Sequence, residues 1–178
     1  MEKVKTYSQV GQDKWILSLF PKGYKGFFMD LGCNDPQVIN NTLLLEEQGW
    51  EGVAFDITDL EKEWVNRNAL FICADVLSYN FLNIGLPMLI DYVSVDIDAI
   101  GSNHQIMKTL LDLGFEFKAI TIEHNLYISE EFNQRERLPQ RELLLSKGYT
   151  LAYRDVMDDD GQFNKFEDWW INSKYITL

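Results

Sequence analysis

One stretch constrains the fold more than any other: an apolar run, Gly26-Phe27-Phe28-Met29, stops abruptly at Asp30 and is followed by Leu31-Gly32-Cys33-Asn34-Asp35. Four apolar residues with no polar alternation predict a strand buried on both faces, as in a parallel sheet covered by helices. Asp30 and Gly32 then mark the point where the chain leaves the sheet at the strand's carboxyl end, which is where open α/β sheets bind ligands. A dinucleotide fingerprint needs three glycines in a GxGxxG spacing, and the turn Gly32-Cys33-Asn34-Asp35-Pro36 keeps one. That favours a smaller nucleoside ligand over a pyrophosphate.

The same event recurs along the chain. Strands are expected over Gly52–Asp56, Ala69–Ala74, Tyr92–Val95 and Ala119–Ile122, and the acids Asp56, Asp75, Asp96 with Asp98, and Glu123 fall at their carboxyl ends. Segments of helical period separate them: Asn40–Gln48, Asp59–Asn66, His104–Leu113 and Arg135–Ser146, with Gly49, Gly114 and Gly148 as stops after three of them. Tyr149–Val156 alternates like a strand, Asp158–Gly161 reads as a turn, and the aromatic segment Phe166–Ile171 is expected to close one edge. The pattern predicts an α/β fold, Rossmann-like, with a mostly parallel sheet of six or seven strands and helices on both faces. Any one acid is equally well read as a helix N-cap. Five along one edge point to a ligand with several hydroxyl or amino donors.

Composition narrows the functional classes. With 178 residues, 46% apolar and 25% charged, the chain matches one soluble globular domain. No stretch approaches the roughly 20 apolar residues of a membrane span, and no signal-peptide core is present, so a cytoplasmic protein is expected. Sixteen basic against 28 acidic residues give a net charge of -12, which disfavours a nucleic-acid partner. Cys33 and Cys73 form no CxxC or Cys/His cluster and are expected as reduced thiols. His104, at a helix start, reads as a surface or capping residue. Trp169 and Trp170 read as core, while Tyr127 and Tyr153 are candidates to stack on the apolar face of a sugar. Arg135, Arg137 and Arg141 suit either a phosphorylated acceptor or ion pairs with Glu136 and Glu142.

Several pieces in order resemble the FkbM-like branch of the class I S-adenosylmethionine-dependent methyltransferases. They are Tyr7-Ser8-Gln9-Val10-Gly11-Gln12-Asp13, Phe28–Asp35, Asn41-Thr42 with Leu45-Glu46, Gly49-Trp50-Glu51-Gly52, Ser94-Val95-Asp96-Ile97-Asp98, Ile122-Glu123-His124-Asn125 and Lys147-Gly148-Tyr149. Departures are Pro36, where the first loop usually has glycine, and Asp98-Ala99-Ile100 in place of the usual DGN that follows the fourth strand. The resemblance implies one domain over residues 1–178: a cofactor-closing segment at 1–25, a cofactor core at 26–125 and an acceptor side at 126–178. It implies S-adenosylmethionine held by Gln12, Asp30, Gly32, Asn34, Asn41, Thr42, Asp56, Asp75, Val76 and Asp96, with Asp56 on the ribose hydroxyls and Asp75 on the adenine amine. The expected reaction is O-methylation of a hydroxyl on a glycan or other small polar acceptor. An N-methyltransferase and a non-catalytic module of the same fold are the alternatives. Candidate catalytic groups are His124, Asp98 and Glu123, with His124 favoured as base because an imidazole titrates near neutrality. Asp96, Asp98, Glu123 and Asn125 also form an oxygen-rich candidate set for Mg²⁺.

Overall fold

The computed structural model describes residues 5–158 and 164–177. Its strands are β1 (Phe27–Leu31), β2 (Glu51–Asp56), β3 (Leu70–Cys73), β4 (Leu89–Val95), β5 (Glu116–Glu123), β6 (Tyr149–Met157) and β7 (Lys165–Asn172). They form one sheet in the order β3-β2-β1-β4-β5-β7-β6. The first five are parallel, while β7 runs antiparallel between β5 and β6. The chain reverses direction across the sheet between β1 and β4, so the carboxyl ends of those two strands flank the switch-point crevice.

Alternation along the strands divides the core into two layers. Met29, Val53, Val93, Ile120 and Trp170 face one side, where Ile106, Met107 and Leu110 of α4 (Ser102–Asp112) cover them. Phe28, Ala54, Tyr92, Ala119 and Trp169 face the other, against Trp15 and Ile16 of α1 (Gln12–Ser18) and Leu45 of α2 (Leu43–Glu47). Both faces of the central strands are buried, which is why their sequences read as continuous apolar runs.

The aromatic segment expected at an edge lies instead inside the sheet. All of β7 after Lys165 is buried, whereas β6, with Tyr153 52% exposed, takes the edge. Trp169 stacks on Trp15 at 4.8 Å between ring centroids, so it is core. The helix expected over Arg135–Ser146 is compound: α5 (Glu130–Phe132) leads through a π-helical turn, Asn133–Arg137, into α6 (Leu138–Ser146). The segment expected as a helix from Asp59 shortens to α3 (Glu61–Trp64). Of the turn expected at Asp158–Gly161, residues 159–161 lie outside the described residues. No described helix is long and apolar enough to cross a membrane. Both cysteines are free, Cys33 buried and Cys73 exposed.

Candidate active site

Three adjoining cavities run along the carboxyl ends of the parallel strands. The first, of 540 Å³, lies over the ends of β1, β2 and β3, with Asn34, Asp56, Asp75, Val76 and Asp98 among its walls. The second, of 290 Å³, is bounded by Asp30, Asn34, Ile39, Asn41 and Ser94. The third, of 240 Å³, is bounded by Gln9, Asp98, Glu123, Asn125, Tyr127 and Asp158. Asp96 lines all three, and Gly32 and Asn34 line the first and second.

Gly32 sits at the junction for a reason of its own. Its φ is +83°, and a Cβ there would lie 1.8 Å from the Asp96 carbonyl oxygen. The close approach it permits is that of the β4 end to the β1 end, which brings Asp96 to the crevice. Asp56 orders the two loops of the first cavity, its carboxylate accepting from the amides of Asn34 at 2.9 Å and Thr58 at 2.8 Å. Each oxygen retains a lone pair for another donor. Asp75 accepts from the Leu77 amide at 3.0 Å, fixing the turn that presents Val76 and Leu77.

Asp30 lies at the floor of the second cavity, 2% exposed, with its Oδ2 accepting from the Thr42 hydroxyl at 2.9 Å. Burial raises its carboxyl to about 6, against the Thr42 hydroxyl and the positive charge of Arg67. Asn41 donates from Nδ2 to Ser94 Oγ at 2.9 Å and has a buried Oδ1 with no partner among the described residues. Thr42, fully buried, supports Asp30 from below and does not reach the cavity.

Asp96 and Glu123 hydrogen-bond to each other at the third cavity, and burial pushes both carboxyls up, Glu123 strongly. Two carboxyls in contact share a proton because both cannot ionise cheaply. Asn125 Nδ2 holds the Glu123 Oε2 at 3.0 Å. Opposite Glu123 on β7 stands Glu167, 2% exposed, which accepts from Trp169 Nε1 at 2.5 Å and is pushed up to about 8 by burial.

Other expected residues lie elsewhere. Gln12 is 2% exposed, its Oε1 accepting from the Val10 amide, and it hydrogen-bonds Glu167; it does not line the three cavities. The favoured base, His124, faces away from them because side chains alternate along β5. It is fully buried, with Nδ1 accepting from the Leu126 amide at 3.3 Å and Nε2 at 3.5 Å from Asp155 and 3.6 Å from Asp168. Apart from the Cys33 thiol and the Tyr127 phenol, the titratable side chains that line the three cavities are therefore carboxyls. The residues expected to hold Mg²⁺, Asp96, Asp98, Glu123 and Asn125, all line the third cavity, but the carboxylate oxygens of Asp96, Asp98 and Glu123 do not gather within 4.8 Å of one another. Among the described residues, the acidic and imidazole ligand atoms that gather within 4.8 Å of one another are those of His124, Asp155 and Asp168. That set is already neutralised: Arg141 bonds Asp168 at 2.6 and 2.7 Å and Asp155 at 2.6 Å, while Arg137 bonds Asp155 at 2.7 and 2.8 Å. The arginines thus serve ion pairs, with partners other than the adjacent glutamates.

Arg67 was invisible to sequence reading, since a lone arginine after a short amphipathic segment carries no signal. Its side chain is 3% exposed and lies 4.5 Å from the Trp64 ring centroid. The loop it braces carries Val38 and Ile39, both 64% exposed, with Ile39 at φ +51°. A β-branched residue is strained in that conformation, which asparagine tolerates. Ile39→Asn is expected to raise stability by about 1 kcal/mol, seen as a higher urea midpoint at unchanged slope. A lower midpoint would mean that the isoleucine contributes packing.

No family model matches this chain, and no curated protein matches it in sequence. Solved structures do resemble it. A structure from Listeria monocytogenes provisionally assigned as an S-adenosylmethionine-dependent methyltransferase has a TM-score of 0.63 at 11% identity, over 91% of this chain and 98% of its own. A provisionally assigned rRNA methylase from Clostridium thermocellum gives 0.61 at 12%, over 94% and 99%. Aeropyrum pernix fibrillarin with natively bound S-adenosyl-L-methionine gives 0.59 at 12%, over 92% and 74%. The chain has the Rossmann-like fold of the class I S-adenosylmethionine-dependent methyltransferases.

Proposed function

We propose that this chain is an S-adenosylmethionine-dependent O-methyltransferase of FkbM-like type, acting on a hydroxyl of a glycan or other small polar acceptor. The carrying observation is the run of three cavities joined at Asp96, whose charged lining residues are all acids. A cofactor with a sulfonium and an ammonium suits such a lining, and the Asn41 Oδ1 beside Asp30, with no partner among the described residues, offers the ammonium an acceptor. Asp56 takes the ribose hydroxyls, Val76 and Leu77 flank the adenine beside Asp75, and Asp30 takes the ammonium. Residues 26–125 supply this cofactor half, and residues 126–178 most of the acceptor half.

The bound cofactor supplies a methyl group already activated on sulfur, so the protein's task is alignment and removal of one proton. Within the hydrogen-bonded pair the shared proton sits on Glu123, so the ionised Asp96 that it holds is the acceptor of the hydroxyl proton. With the cofactor held in place, the proton given up by the acceptor hydroxyl would pass to Asp96, with Glu123 positioning that carboxylate. Asp98 at the mouth of the first and third cavities binds acceptor hydroxyls. The described lining residues include no lysine or arginine to pair with a phosphate backbone, which supports a small polar acceptor over nucleic acid. The same acid-only lining favours an amine as the second reading.

Calorimetry with S-adenosylhomocysteine tests the assignment. Micromolar binding that weakens about 10-fold or more in Asp56→Ala is expected, since a charge-assisted hydrogen bond is worth roughly 1.5–3 kcal/mol. Absence of binding would sink the methyltransferase reading in favour of a non-catalytic module.

A further inference from the structure

We propose that Arg67 is a positioning residue for the amino-acid end of the cofactor: through Thr42 it fixes the Asp30 carboxylate, and through Pro36 and Asn40 it clamps the loop that walls the second cavity. This rests on the reading of Asp30 as the ammonium partner.

The guanidinium makes four hydrogen bonds that join separate parts of the fold. Nε donates to Glu46 Oε2 at 3.0 Å, Nη1 to the Pro36 carbonyl at 2.7 Å and to Asn40 Oδ1 at 3.2 Å, and Nη2 to Thr42 Oγ1 at 3.1 Å. Thr42 Oγ1 passes the polarisation on, donating to Asp30 Oδ2 at 2.9 Å. Glu46 is fixed in turn by the amides of Asn68 at 2.7 Å and Ala69 at 3.2 Å. A planar fork can serve these directions together, and an ammonium cannot.

The electrostatic consequence falls on Asp30. Burial raises it, and the Thr42 hydroxyl, the Arg67 charge and the Ser94 hydroxyl oppose that rise, while the charge of Asp96 adds to it. The other titratable neighbours, the Cys33 thiol and the Tyr92 phenol, are pushed up by burial and stay neutral. With its midpoint at about 6, Asp30 is mostly ionised at neutral pH. Without the Thr42 hydroxyl it would titrate through the neutral range and lose its hold on a cation.

Titrating S-adenosylhomocysteine calorimetrically across about pH 5.5 to 8 reads this directly. Wild-type affinity is expected to fall as pH drops through about 6. In Thr42→Val the midpoint moves up by about one pH unit, giving close to 10-fold weaker binding below both midpoints. Thr42→Ser, which keeps the hydroxyl, restores the wild-type profile. Arg67→Lys keeps the charge without the fork, and weakens binding at every pH because the loop loosens. A Thr42→Val midpoint equal to that of wild type overturns the proposal while leaving the cofactor reading intact. So does an Asp30 carboxyl carbon that titrates near 4 by NMR in the ligand-free wild type, a measurement independent of how any variant folds. Absence of binding by wild type at every pH overturns the cofactor reading and this proposal together.

Discussion

Gly32→Ala is expected to remove on the order of 3–5 kcal/mol of folding stability, about half of what a typical domain possesses. Two costs add. An alanine held at φ +83° is strained by about 1–2 kcal/mol. Its Cβ would also lie 1.8 Å from the Asp96 carbonyl oxygen, which is backbone and cannot rotate away. Relief requires the ends of β1 and β4 to part, at the expense of the Asp96 amide bond to Leu31 at 2.9 Å and the Gly32 amide bond to Phe55 at 2.9 Å. Urea denaturation should show a lower midpoint at unchanged slope. Gly85→Ala is the control: its φ is +67° but nothing lies within 4 Å, so the conformational cost alone applies. Equal losses at the two positions would mean that the β1–β4 crevice relaxes freely. The parting also predicts weaker S-adenosylhomocysteine binding by the folded fraction, because Asp96 lines all three cavities.

The carboxyl edge was legible because burial on both faces makes parallel strands continuous apolar runs, and the acids that end them interrupt that run. Asp30, Asp56, Asp75, Asp96 and Glu123 could be read in this way without knowing the strand order. What the sequence leaves open is where the strand gives way to a turn. Alternation sets His124 opposite Glu123 and Asn125 unless the chain has already turned, and chemistry near neutral pH favoured the imidazole; in the structure it lies with Asp155 and Asp168, and the Glu123 carboxyl is at the cavity. Thr42 and Gln12 fell in motifs that resemble cofactor-binding ones, yet they act one layer below, on Asp30 and Glu167. Arg67 had no pattern to announce it, since its four partners come together only through tertiary packing. The Phe166–Ile171 run shows the same limit: aromatic composition indicates a strand, and only its burial on both faces places it inside the sheet.

Stability should fall as pH rises from about 5 to 8, the reverse of the usual behaviour of a protein rich in paired carboxylates. Burial raises Asp30 to about 6 and Glu167 to about 8 from ordinary values of 3.8 and 4.5, and raises Asp96 and Glu123 as well. An acid with a raised folded value binds its proton more tightly in the native state, so its contribution is complete below the unfolded value and is lost as pH climbs to the folded one. For Glu167 the difference between 4.5 and about 8 is worth roughly 3–5 kcal/mol. Asp168 works in the opposite sense and in another window: Arg141 offsets its burial and holds it at about 2, so its stabilisation persists above about 4 and is lost as pH falls towards 2. The two effects place maximal stability on the acid side of neutrality. Urea titrations at intervals between about pH 3 and 8 should trace this curve, and Glu167→Gln, which keeps a polar acceptor for Trp169, should flatten its alkaline limb. A stability that rose between pH 5 and 8 would mean that these carboxyls are ionised and paired in the native state. In that case a protein ionised at Glu167 would have to hold a second charge against the Asp96–Glu123 pair, and the pair would be a different base from the one proposed.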